Sequence, residues 1–407
     1  MEPVFGVRRD PPPDLDAVGE DEALVARIRA EIERDGPIPF ARFMDLALYD
    51  PDGGYYRATE ARPGRAGDFL TAPEIHPIFG WALAGLLEDV WRRLGEPRPF
   101  VLREHGAGTG ALALAILDRL ERTGSPLRDA LAYDPVEVEP GRLDAIAATF
   151  AGRGATDRLL DTDHRGGPVT GIVLANEVLD ALPVHRVRRR GDRLVEIAVG
   201  VEDGAFVDLE VEPSTPALAT RLADEGIELI DGQAAEICLV ADRWVAETAA
   251  GLERGLLVLI DYGAPAAELY DPVRRREGTL MAYVRHRASH DPYAHVGRQD
   301  LTAHVDVTAV ERAAVAAGLS HLATTTQAEF LVGLGTETLL REVQEDPATS
   351  LEAYLELRSS LMRLLDPSAM GRFRVMAFGR DWPDGPPLDG FAFRAPRRPP
   401  AERMPTD

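Results

Sequence analysis

Three glycines spaced two apart lie within residues 104–110, which read Glu-His-Gly-Ala-Gly-Thr-Gly. An apolar run at 100–102 precedes this segment and a helix-forming run at 111–117 follows it, so the expected order is strand, glycine turn and helix. Glycine permits a sharp turn and leaves no Cβ where a ligand approaches the backbone, while the first N–H groups of the helix face that ligand. The segment is therefore expected to cradle a cofactor.

An acidic residue at the end of the first strand, followed by this glycine pattern, is typical of methyltransferases that use S-adenosylmethionine (SAM). A dinucleotide site is the alternative, because Gly106, Gly108 and Ala111 also satisfy G-x-G-x-x-G/A. Glu137 could hold a ribose, and it lies 27 residues after Gly110, whereas dinucleotide folds prefer about 20. Spacing alone does not separate the two cofactors.

The charge of Glu104 favours SAM over NAD. A carboxylate at this point would repel the pyrophosphate of NAD and attract the ammonium group of SAM. The expected SAM contacts from this region are Glu104, Gly106, Ala107, Gly108 and Gly110, with Glu137 accepting hydrogen bonds from the ribose hydroxyls. For Glu137, the alternative is an ordinary surface carboxylate of an acidic protein.

A second group of polar residues follows the predicted strand at 172–175. Ligands of open α/β sheets sit beyond the carboxyl ends of the strands, and methyltransferases place the methyl acceptor at this one. A guanidinium acceptor would need carboxylates that hold it and accept a proton, because free arginine stays charged. Asn176, Glu177 and Asp180 are the candidate catalytic residues, and Asn176 is also a candidate cofactor contact. Alternatively, Asp180 caps the next helix and Asn176 only orders the backbone.

The segment 62–77 is too polar, and too interrupted by proline and glycine, to form a packed element. We expect it to lie over the cofactor or to lead the substrate in. Its candidate cofactor contacts are Gly67, Asp68, Thr71 and Glu74. A purely structural loop is the alternative.

Two other polar groups have simpler interpretations. His304 and Asp306 could share one face of a strand and bind a metal, but a buried histidine is commoner and no third ligand is evident, so no metal is expected. A run of arginines is expected on the solvated face of a hairpin, with a docking patch for an acidic partner as the alternative. These arginines are at positions 186, 188, 189, 190 and 193.

Composition limits the partners. The chain has 407 residues and a formal net charge of −23, which disfavours nucleic acid and anionic membranes but is compatible with a basic protein substrate. The single cysteine, Cys238, excludes an internal disulfide framework and a cysteine-based zinc site. No apolar run approaches about 18 residues and no secretion signal is recognised, so we expect no membrane span and a cytoplasmic location. Composition leaves the oligomeric state open.

The alternation of short apolar runs with helical stretches predicts an α/β fold. We expect a doubly wound, Rossmann-like SAM methyltransferase sheet with an N-terminal helical region and an inserted β region. Strands are predicted at 100–104, 135–139, 172–175 and 256–260, near 158–160, and finally near 320–326 and 372–378. Core helices are predicted at 110–122, 141–150, 238–252 and 307–317. Turn signals at 191–192 and 203–204 predict hairpins in the inserted region.

These elements predict a division of the chain into six parts. The parts are a disordered leader at 1–20, an N-terminal helical region with the cofactor-covering loop at 21–98, the first half of the core at 99–185, an inserted β region for the substrate at 186–235, the second half of the core at 236–395 with an insert at 264–306, and a disordered tail at 396–407.

Many ordered motifs resemble those of the MidA-like SAM-dependent methyltransferases. They lie at 36–40, 43–44, 47–49, 53–56, 67–75, 104–110, 175–184, 261–263, 278–280, 282–283, 286–287, 299–306 and 327–331, so the resemblance covers about residues 22–380. The family usually has valine or leucine, serine and arginine at three positions where this chain has His105, His76 and Met281. The departure at His105 matters most, because it lies inside the glycine segment.

The resemblance implies a SAM-binding core, with SAM contacts at Glu104, Gly106, Gly108 and Glu137 and an acceptor site near Asn176 and Glu177. Mitochondrial members resemble protein-arginine methyltransferases that act on a subunit of respiratory complex I during its assembly. We therefore expect a SAM-dependent protein-arginine N-methyltransferase with a protein partner. A small-molecule or amino-group methyltransferase and a non-catalytic SAM-binding assembly factor are the alternatives.

Overall fold

The computed structural model describes residues 2–3, 14–57, 71–161 and 165–392. In chain order the strands are β1 (Glu2–Pro3), β2 (Ile38–Pro39), β3 (Phe100–His105), β4 (Leu131–Val136), β5 (Val169–Asn176), β6 (His185–Arg190), β7 (Arg193–Glu202), β8 (Ala205–Val211), β9 (Ala234–Ile237), β10 (Leu252–Asp261), β11 (Gly263–Ala264), β12 (Met281–Val284), β13 (Arg287–Ser289), β14 (Asp300–Thr302), β15 (Val305–Asp306), β16 (Ser320–Thr326) and β17 (Arg374–Arg380).

The α-helices of the same residues are α1 (Glu22–Asp35), α2 (Phe40–Tyr49), α3 (Ala72–Ile75), α4 (Ile78–Arg93), α5 (Ala111–Thr123), α6 (Leu127–Ala130), α7 (Pro140–Gly152), α8 (Ala217–Asp224), α9 (Val240–Ala250), α10 (Ala266–Leu269), α11 (Val307–Ala316), α12 (Gln327–Gly333), α13 (Thr336–Glu345) and α14 (Leu351–Leu365). Short 3₁₀ turns at Tyr55–Arg57 and Leu179–Ala181 border the candidate site.

The central sheet runs in the order β16-β17-β10-β5-β3-β4. Strands β10, β5, β3 and β4 are parallel, and β17 and β16 add an antiparallel edge. Alternate side chains of β10 and β5 are buried on opposite faces, one covered by α4, α5 and α12 to α14 and the other by α9 and α11. Helices on both faces of a mostly parallel sheet confirm the predicted doubly wound fold.

The second core strand differs in position from the prediction. It was expected at 135–139, but β4 is Leu131–Val136, where Leu131 pairs with Phe100 of β3. The chain leaves the sheet after Val136 because Pro140 begins α7 and the Glu139 side chain accepts a hydrogen bond from the N–H group of that helix's second residue. Glu137 therefore lies immediately beyond the carboxyl end of β4.

The strand expected near 158–160 does not form in the described chain. Thr156–Arg158 is a 3₁₀ turn, and Leu159 makes only an isolated bridge to Tyr133. Strand β4 is thus the edge of the central sheet. This strand can contain Pro135, because a missing N–H group is acceptable on an edge strand.

The predicted hairpins of the inserted region are confirmed. Strands β6, β7 and β8 turn at 191–192 and 203–204, and they join β2 and β9 in a second sheet. Four of its arginines are ion-paired within this sheet, to Asp208, Glu210 and Glu212; they are Arg186, Arg188, Arg190 and Arg193. Because internal carboxylates already neutralise these arginines, they give little support to a docking patch for an acidic partner.

The N-terminal helices α1 and α2 pack against the inserted sheet through the apolar positions predicted from their periodicity. None of the helices described here is long and apolar enough to cross a bilayer. The six-part division of the chain stays a prediction, and its tail at 396–407 and most of its leader lie outside the described residues.

Two facing glycines allow the central parallel strands to approach each other. A Cβ on Gly171 would lie 2.1 Å from the Val101 carbonyl oxygen, and one on Gly255 would lie 2.0 Å from the Gly171 carbonyl oxygen. We expect Gly171→Ala to lower the free energy of unfolding by on the order of 3 kcal/mol, because the clash is with backbone. Urea denaturation measures the change.

Gly85→Ala is the matched control, because a Cβ at this helical position meets nothing within 4 Å. That substitution is expected to raise the free energy of unfolding by up to about 1 kcal/mol. Equal stability of the two variants would contradict the assigned strand register.

Candidate functional site

The glycine segment forms a tight turn between β3 and α5. The Gly106 N–H group donates to the Val136 carbonyl at 2.9 Å, and the Gly110 N–H group donates to Ala107 at 2.8 Å. The three glycines have φ angles of +68°, +57° and +74°, a region that favours glycine. A Cβ on Gly106 would lie only 2.8 Å from a methyl carbon of Val178. The turn therefore has little room for any side chain at Gly106.

A cavity of about 300 Å³ lies beyond the carboxyl ends of β3, β4 and β5. This volume is in the range of small-molecule sites. The glycine segment, the residues that follow β4 and β5, the start of α3 and two N-terminal tyrosines surround it. The predicted site residues that line it are Thr71, Glu74, Glu104, Gly106, Ala107, Gly108, Glu137, Asn176 and Glu177.

Two of the predicted site residues that the structure describes are not brought into this lining. Gly110 and Asp180 lie close to it in the chain but are absent from the cavity wall. Gly110 instead lies immediately before α5, in a left-handed conformation. Gly67 and Asp68 lie outside the described residues.

Glu104 is a buried carboxylate in the cavity wall, only 4% exposed. The Tyr133 hydroxyl donates a hydrogen bond to Oε2 of Glu104 at 2.7 Å. Burial raises the pKa of Glu104 to about 8, although the hydrogen bond from Tyr133 opposes this shift. A cationic ligand beside Glu104 would favour its ionised form.

Glu137 and Arg142 form a second charged group in the wall. Oε1 of Glu137 accepts the Gly108 N–H group at 2.5 Å, and Oε2 lies 3.5 Å from Nη1 of Arg142. Burial raises the pKa of Glu137, against the opposing hydrogen bond from Gly108 and the charge of Arg142. Arg142 is 7% exposed, and its Nε and Nη2 atoms have no hydrogen-bond partner in the described part of the chain. A polar ligand could satisfy these donors.

Glu177 lies in the turn after β5 with a φ of +55°, an uncommon angle for a residue with a side chain. Its Oε1 atom accepts hydrogen bonds from Asn176 Nδ2 and from the Ala72 N–H group, both at 3.0 Å. Burial raises the pKa of Glu177 to about 8. The Oδ1 atom of Asn176 is buried without a partner among the described residues, so this amide also has capacity for a ligand.

Asp261, at the end of β10, holds the turn after β5 in place. Its Oδ2 atom accepts the N–H groups of Val178, Leu179 and Asp180 at 3.1, 2.9 and 3.3 Å, and Oδ1 accepts that of Tyr262 at 2.8 Å. The side chain is 1% exposed, and burial together with the carboxylate of Asp180 raises its pKa. Asp261 therefore positions the backbone that carries the candidate catalytic residues.

Asp180 lies inside the 3₁₀ turn at Leu179–Ala181 and does not cap a longer helix. Its carboxylate is hydrogen-bonded to the Tyr262 hydroxyl and to the Ala181 N–H group. Burial raises the pKa of Asp180 to about 6. The structure thus separates Asp180 from Asn176 and Glu177, which line the cavity.

The described end of the predicted covering segment contacts the turn after β5. Thr71 and Glu74 form a capping box at α3, in which the Thr71 hydroxyl donates to Glu74 Oε2 at 3.2 Å. Burial raises the pKa of Glu74. Because the next N–H group, that of Ala72, donates to Glu177, this segment is joined to the candidate acceptor end of the cavity.

His105 and His304 are both uncharged near neutral pH. Burial lowers the pKa of His105 to about 4, and its ring packs edge-on against Trp244 with centroids 5.4 Å apart. Burial, with the nearby charge of Arg275, lowers the pKa of His304 to about 3, while Asp306 caps α11. Within the described residues no group of three or more metal-ligating side chains occurs. His105 therefore adds an aromatic wall to the cavity rather than a positive charge.

Sequence reasoning missed Tyr133 and Arg142. Tyr133 is 29 positions from Glu104, and only the pairing of β3 with β4 brings them together. Arg142 had a weaker local signal, as a basic residue in the first turn of the helix after Glu137. Asp261 was noticed only as part of a motif, without a role.

Comparison with known proteins identifies the family. A family model described as "Putative S-adenosyl-L-methionine-dependent methyltransferase" matches residues 82–325. A relative from Drosophila melanogaster, named protein arginine methyltransferase NDUFAF7 homolog, mitochondrial, is 31% identical over 87% of this chain and 84% of its own length. The chain belongs to this family of SAM-dependent methyltransferases. The human protein named protein arginine methyltransferase NDUFAF7, mitochondrial, is 27% identical over 87% of this chain and 82% of its own length.

Solved structures agree with this assignment. A COG1565 superfamily member from Burkholderia thailandensis, bound to S-adenosyl-homocysteine, is 36% identical with a TM-score of 0.82, and the match covers 93% of this chain and 97% of that chain. The native structure of a COG1565 superfamily protein from the same organism is 37% identical with a TM-score of 0.81. The predicted family, fold class and SAM cofactor are confirmed, and the protein is a methyltransferase.

The expectation of a cytoplasmic location is wrong by these comparisons. The curated relatives from Drosophila melanogaster and Homo sapiens are named as mitochondrial proteins. The expectation rested on the absence of a recognised secretion signal and membrane span, and neither absence distinguishes the cytoplasm from an organelle interior.

We expect Asp261→Ala to lower the free energy of unfolding by about 2–4 kcal/mol, because it leaves buried N–H groups of the turn after β5 without an acceptor. Asp261→Asn retains one acceptor oxygen and should lose less. Thermal and urea unfolding measure both changes. Asp144→Ala, an exposed substitution on α7, is the control. A loss for Asp261→Ala no larger than for Asp144→Ala would refute the positioning role of Asp261.

Proposed function

We propose that this methyltransferase transfers the methyl group of SAM to arginine side chains of a protein partner. The observation that carries the proposal is the position of Glu177: a hydrogen-bonded carboxylate with a raised pKa lies in the wall of the cavity that the glycine turn also lines. The names of the Drosophila and human relatives support arginine as the acceptor.

For the cofactor, we propose that Glu104 binds the ammonium group of SAM and that Glu137 binds its ribose. The backbone of Gly106, Ala107 and Gly108 lines the cavity and would lie against the amino-acid end, where a side chain at Gly106 has no room. The unpartnered donors of Arg142 fit a polar group of the nucleoside. Gly67, Asp68, Gly110 and a second role for Asn176 stay predictions.

When bound, SAM supplies a methyl group whose bond to the sulfonium sulfur breaks with its electron pair left on sulfur, while the acceptor nitrogen forms a new bond to carbon and loses one proton. Glu177, once ionised, would hold the guanidinium group and accept that proton. Asn176 donates to the same Oε1 atom of Glu177 and so keeps the carboxylate oriented. Asp180, outside the cavity wall, would act only through the backbone of the turn.

The charge of the cavity supports a cationic acceptor. Glu74, Glu104, Glu137 and Glu177 line it, and Arg142 opposes them near Glu137. Buried carboxylates with raised pKa values lack partners for their charge. A guanidinium group that binds beside Glu177 would therefore favour and stabilise the ionised form of that carboxylate. A complex I subunit, which the family resemblance implies for mitochondrial members, is the first acceptor to test.

The role of Glu104 predicts a pH-dependent affinity for S-adenosyl-homocysteine, which keeps the ammonium group. With a pKa of about 8, Glu104 ionises as the pH rises, so the dissociation constant should fall roughly tenfold from pH 6.5 to 7.5. Glu104→Gln should remove this trend, as measured by calorimetry. Adenosine, which lacks the ammonium group, is the control ligand and should show no Glu104-dependent trend in the natural protein.

The role of Glu177 predicts a defect in transfer rather than in cofactor binding. Glu177→Gln should slow methylation by about 10²–10⁴-fold and keep the affinity for S-adenosyl-homocysteine within about twofold. In the natural protein kcat/KM for the acceptor, which reports the free enzyme, should rise with pH as Glu177 ionises near pH 8, and the variant should lose this rise. Glu345→Gln, an exposed change on α13, is the control.

To test the acceptor, the protein is incubated with labelled SAM and mitochondrial or bacterial lysate. Labelled protein bands are then hydrolysed in acid, and the labelled amino acid is identified. Methylarginine that depends on Glu177 supports the proposal. Label on another residue would overturn arginine as the acceptor, and label only on small molecules would favour the small-molecule alternative. No transfer at all, with intact binding of S-adenosyl-homocysteine, would favour the non-catalytic assembly factor.

A further inference from the structure

Two tyrosines from the N-terminal region form a wall of the cavity. Tyr49 ends α2 and Tyr56 lies in the 3₁₀ turn at Tyr55–Arg57, and both line the cavity. Their rings stack with centroids 5.5 Å apart and an interplanar angle of 25°. The glycine turn and the proposed role of Glu177 do not account for these rings, so their presence in the cavity calls for a separate explanation.

Both hydroxyl groups are anchored, which fixes the orientation of the rings. The Tyr49 hydroxyl donates to the Ala181 carbonyl at 3.0 Å, and the Tyr56 hydroxyl donates to Oδ1 of Asp300 at 2.8 Å. Asp300 is 3% exposed and belongs to β14. Because the polar ends of the tyrosines are occupied, what they offer the cavity is mainly aromatic surface.

These two hydrogen bonds also indicate at which end of the cavity the rings lie. Ala181 is four residues after Glu177, in the 3₁₀ turn that Asp261 holds through backbone N–H groups. The charges of Asp180 and Asp300 both act on the two tyrosine hydroxyls, raising their pKa values beyond the effect of burial. The pair therefore lies toward the turn after β5, where the proposed acceptor reacts.

A planar cation is the ligand that best fits these features. Guanidinium groups stack on aromatic faces and pair with carboxylates in the same plane, whereas an ammonium group is compact and strongly hydrated. A carboxylate that accepts a hydrogen bond from a phenol leaves the ring richer in electrons, so Asp300 would strengthen the attraction of Tyr56 for a cation. An apolar or anionic acceptor would gain nothing from Asp300.

We propose that Tyr49 and Tyr56 form the aromatic wall that holds the acceptor guanidinium beside Glu177 and selects arginine over lysine. Asp300 is a positioning residue, because it acts through Tyr56. This inference rests on the proposed function, and it adds the side chains that distinguish one basic acceptor from another.

The test measures binding of N-acetyl-arginine amide and N-acetyl-lysine amide, each at millimolar concentration, to the full chain saturated with S-adenosyl-homocysteine. Saturation-transfer NMR detects such weak binding. The natural protein should bind the arginine probe more tightly than the lysine probe. Tyr56→Leu and Tyr49→Leu should each weaken the arginine probe by roughly tenfold, while Tyr56→Phe, which keeps the ring, should weaken it by only about two- to threefold.

Cofactor affinity and folding are the controls. Calorimetry with S-adenosyl-homocysteine should give dissociation constants within about twofold of the natural protein for all three variants, which also shows that they fold. A parallel loss of cofactor affinity would mean that the rings hold the nucleoside, and it would overturn the inference. Unchanged binding of the arginine probe in both leucine variants, or no binding to the natural protein at all, would also overturn it.

Methylation distinguishes this inference from the proposed function. If labelled SAM gives methylarginine with equal acceptor KM in the natural protein and in Tyr56→Leu, only the aromatic wall is refuted. If the probe binds through the tyrosines but no protein arginine is methylated, the proposed function fails and the guanidinium site stands. If both hold, Tyr56→Leu should raise the acceptor KM roughly tenfold with a smaller change in kcat.

Discussion

The hydrogen bonds that Asp261 accepts from the turn after β5 are the interaction on which the site depends. Three successive N–H groups converge on Oδ2, so the chain leaves the sheet in one conformation and Glu177 keeps its left-handed φ. The same turn carries Val178, whose methyl group lies where a side chain on Gly106 would have to be. The cofactor turn and the candidate acceptor turn therefore lie directly against each other at this point.

Burial of carboxylates gives the cavity its chemical character. Glu104 and Glu177 both have pKa values raised to about 8, because they are removed from water without a full set of cationic partners. Such groups are costly when ionised, and a bound cation lowers that cost. Besides the sulfonium of SAM, two cationic groups are expected in a SAM-dependent arginine methyltransferase, the ammonium group of SAM and the acceptor guanidinium. The two carboxylates lie beside the two turns that would receive these groups.

The N-terminal region completes the site rather than merely covering it. The Ala72 N–H group reaches Glu177, Tyr49 reaches the carbonyl of Ala181, and Tyr56 reaches Asp300 of β14. These bonds connect three separate parts of the chain around one cavity. A minimal doubly wound sheet has none of these contacts, which is why the additional regions bear on the choice of acceptor.

The sequence by itself determined the features that depend on near neighbours in the chain. The glycine turn, Glu104 before it and the hairpins at 191–192 and 203–204 follow from local periodicity and turn chemistry. The ends of β4 were less predictable, because pairing with β3 and the start of α7 at Pro140 set them.

Only the tertiary structure decided the contacts between distant positions. Tyr133 meets Glu104 across 29 positions, Asp261 meets Val178 across 83, and Tyr56 meets Asp300 across 244. It also removed Asp180 from the cavity wall, although Asp180 and Glu177 are three residues apart. The physical reason is that side-chain direction in an irregular turn is set by what the backbone bonds to. Here that partner is a buried carboxylate at the end of another strand.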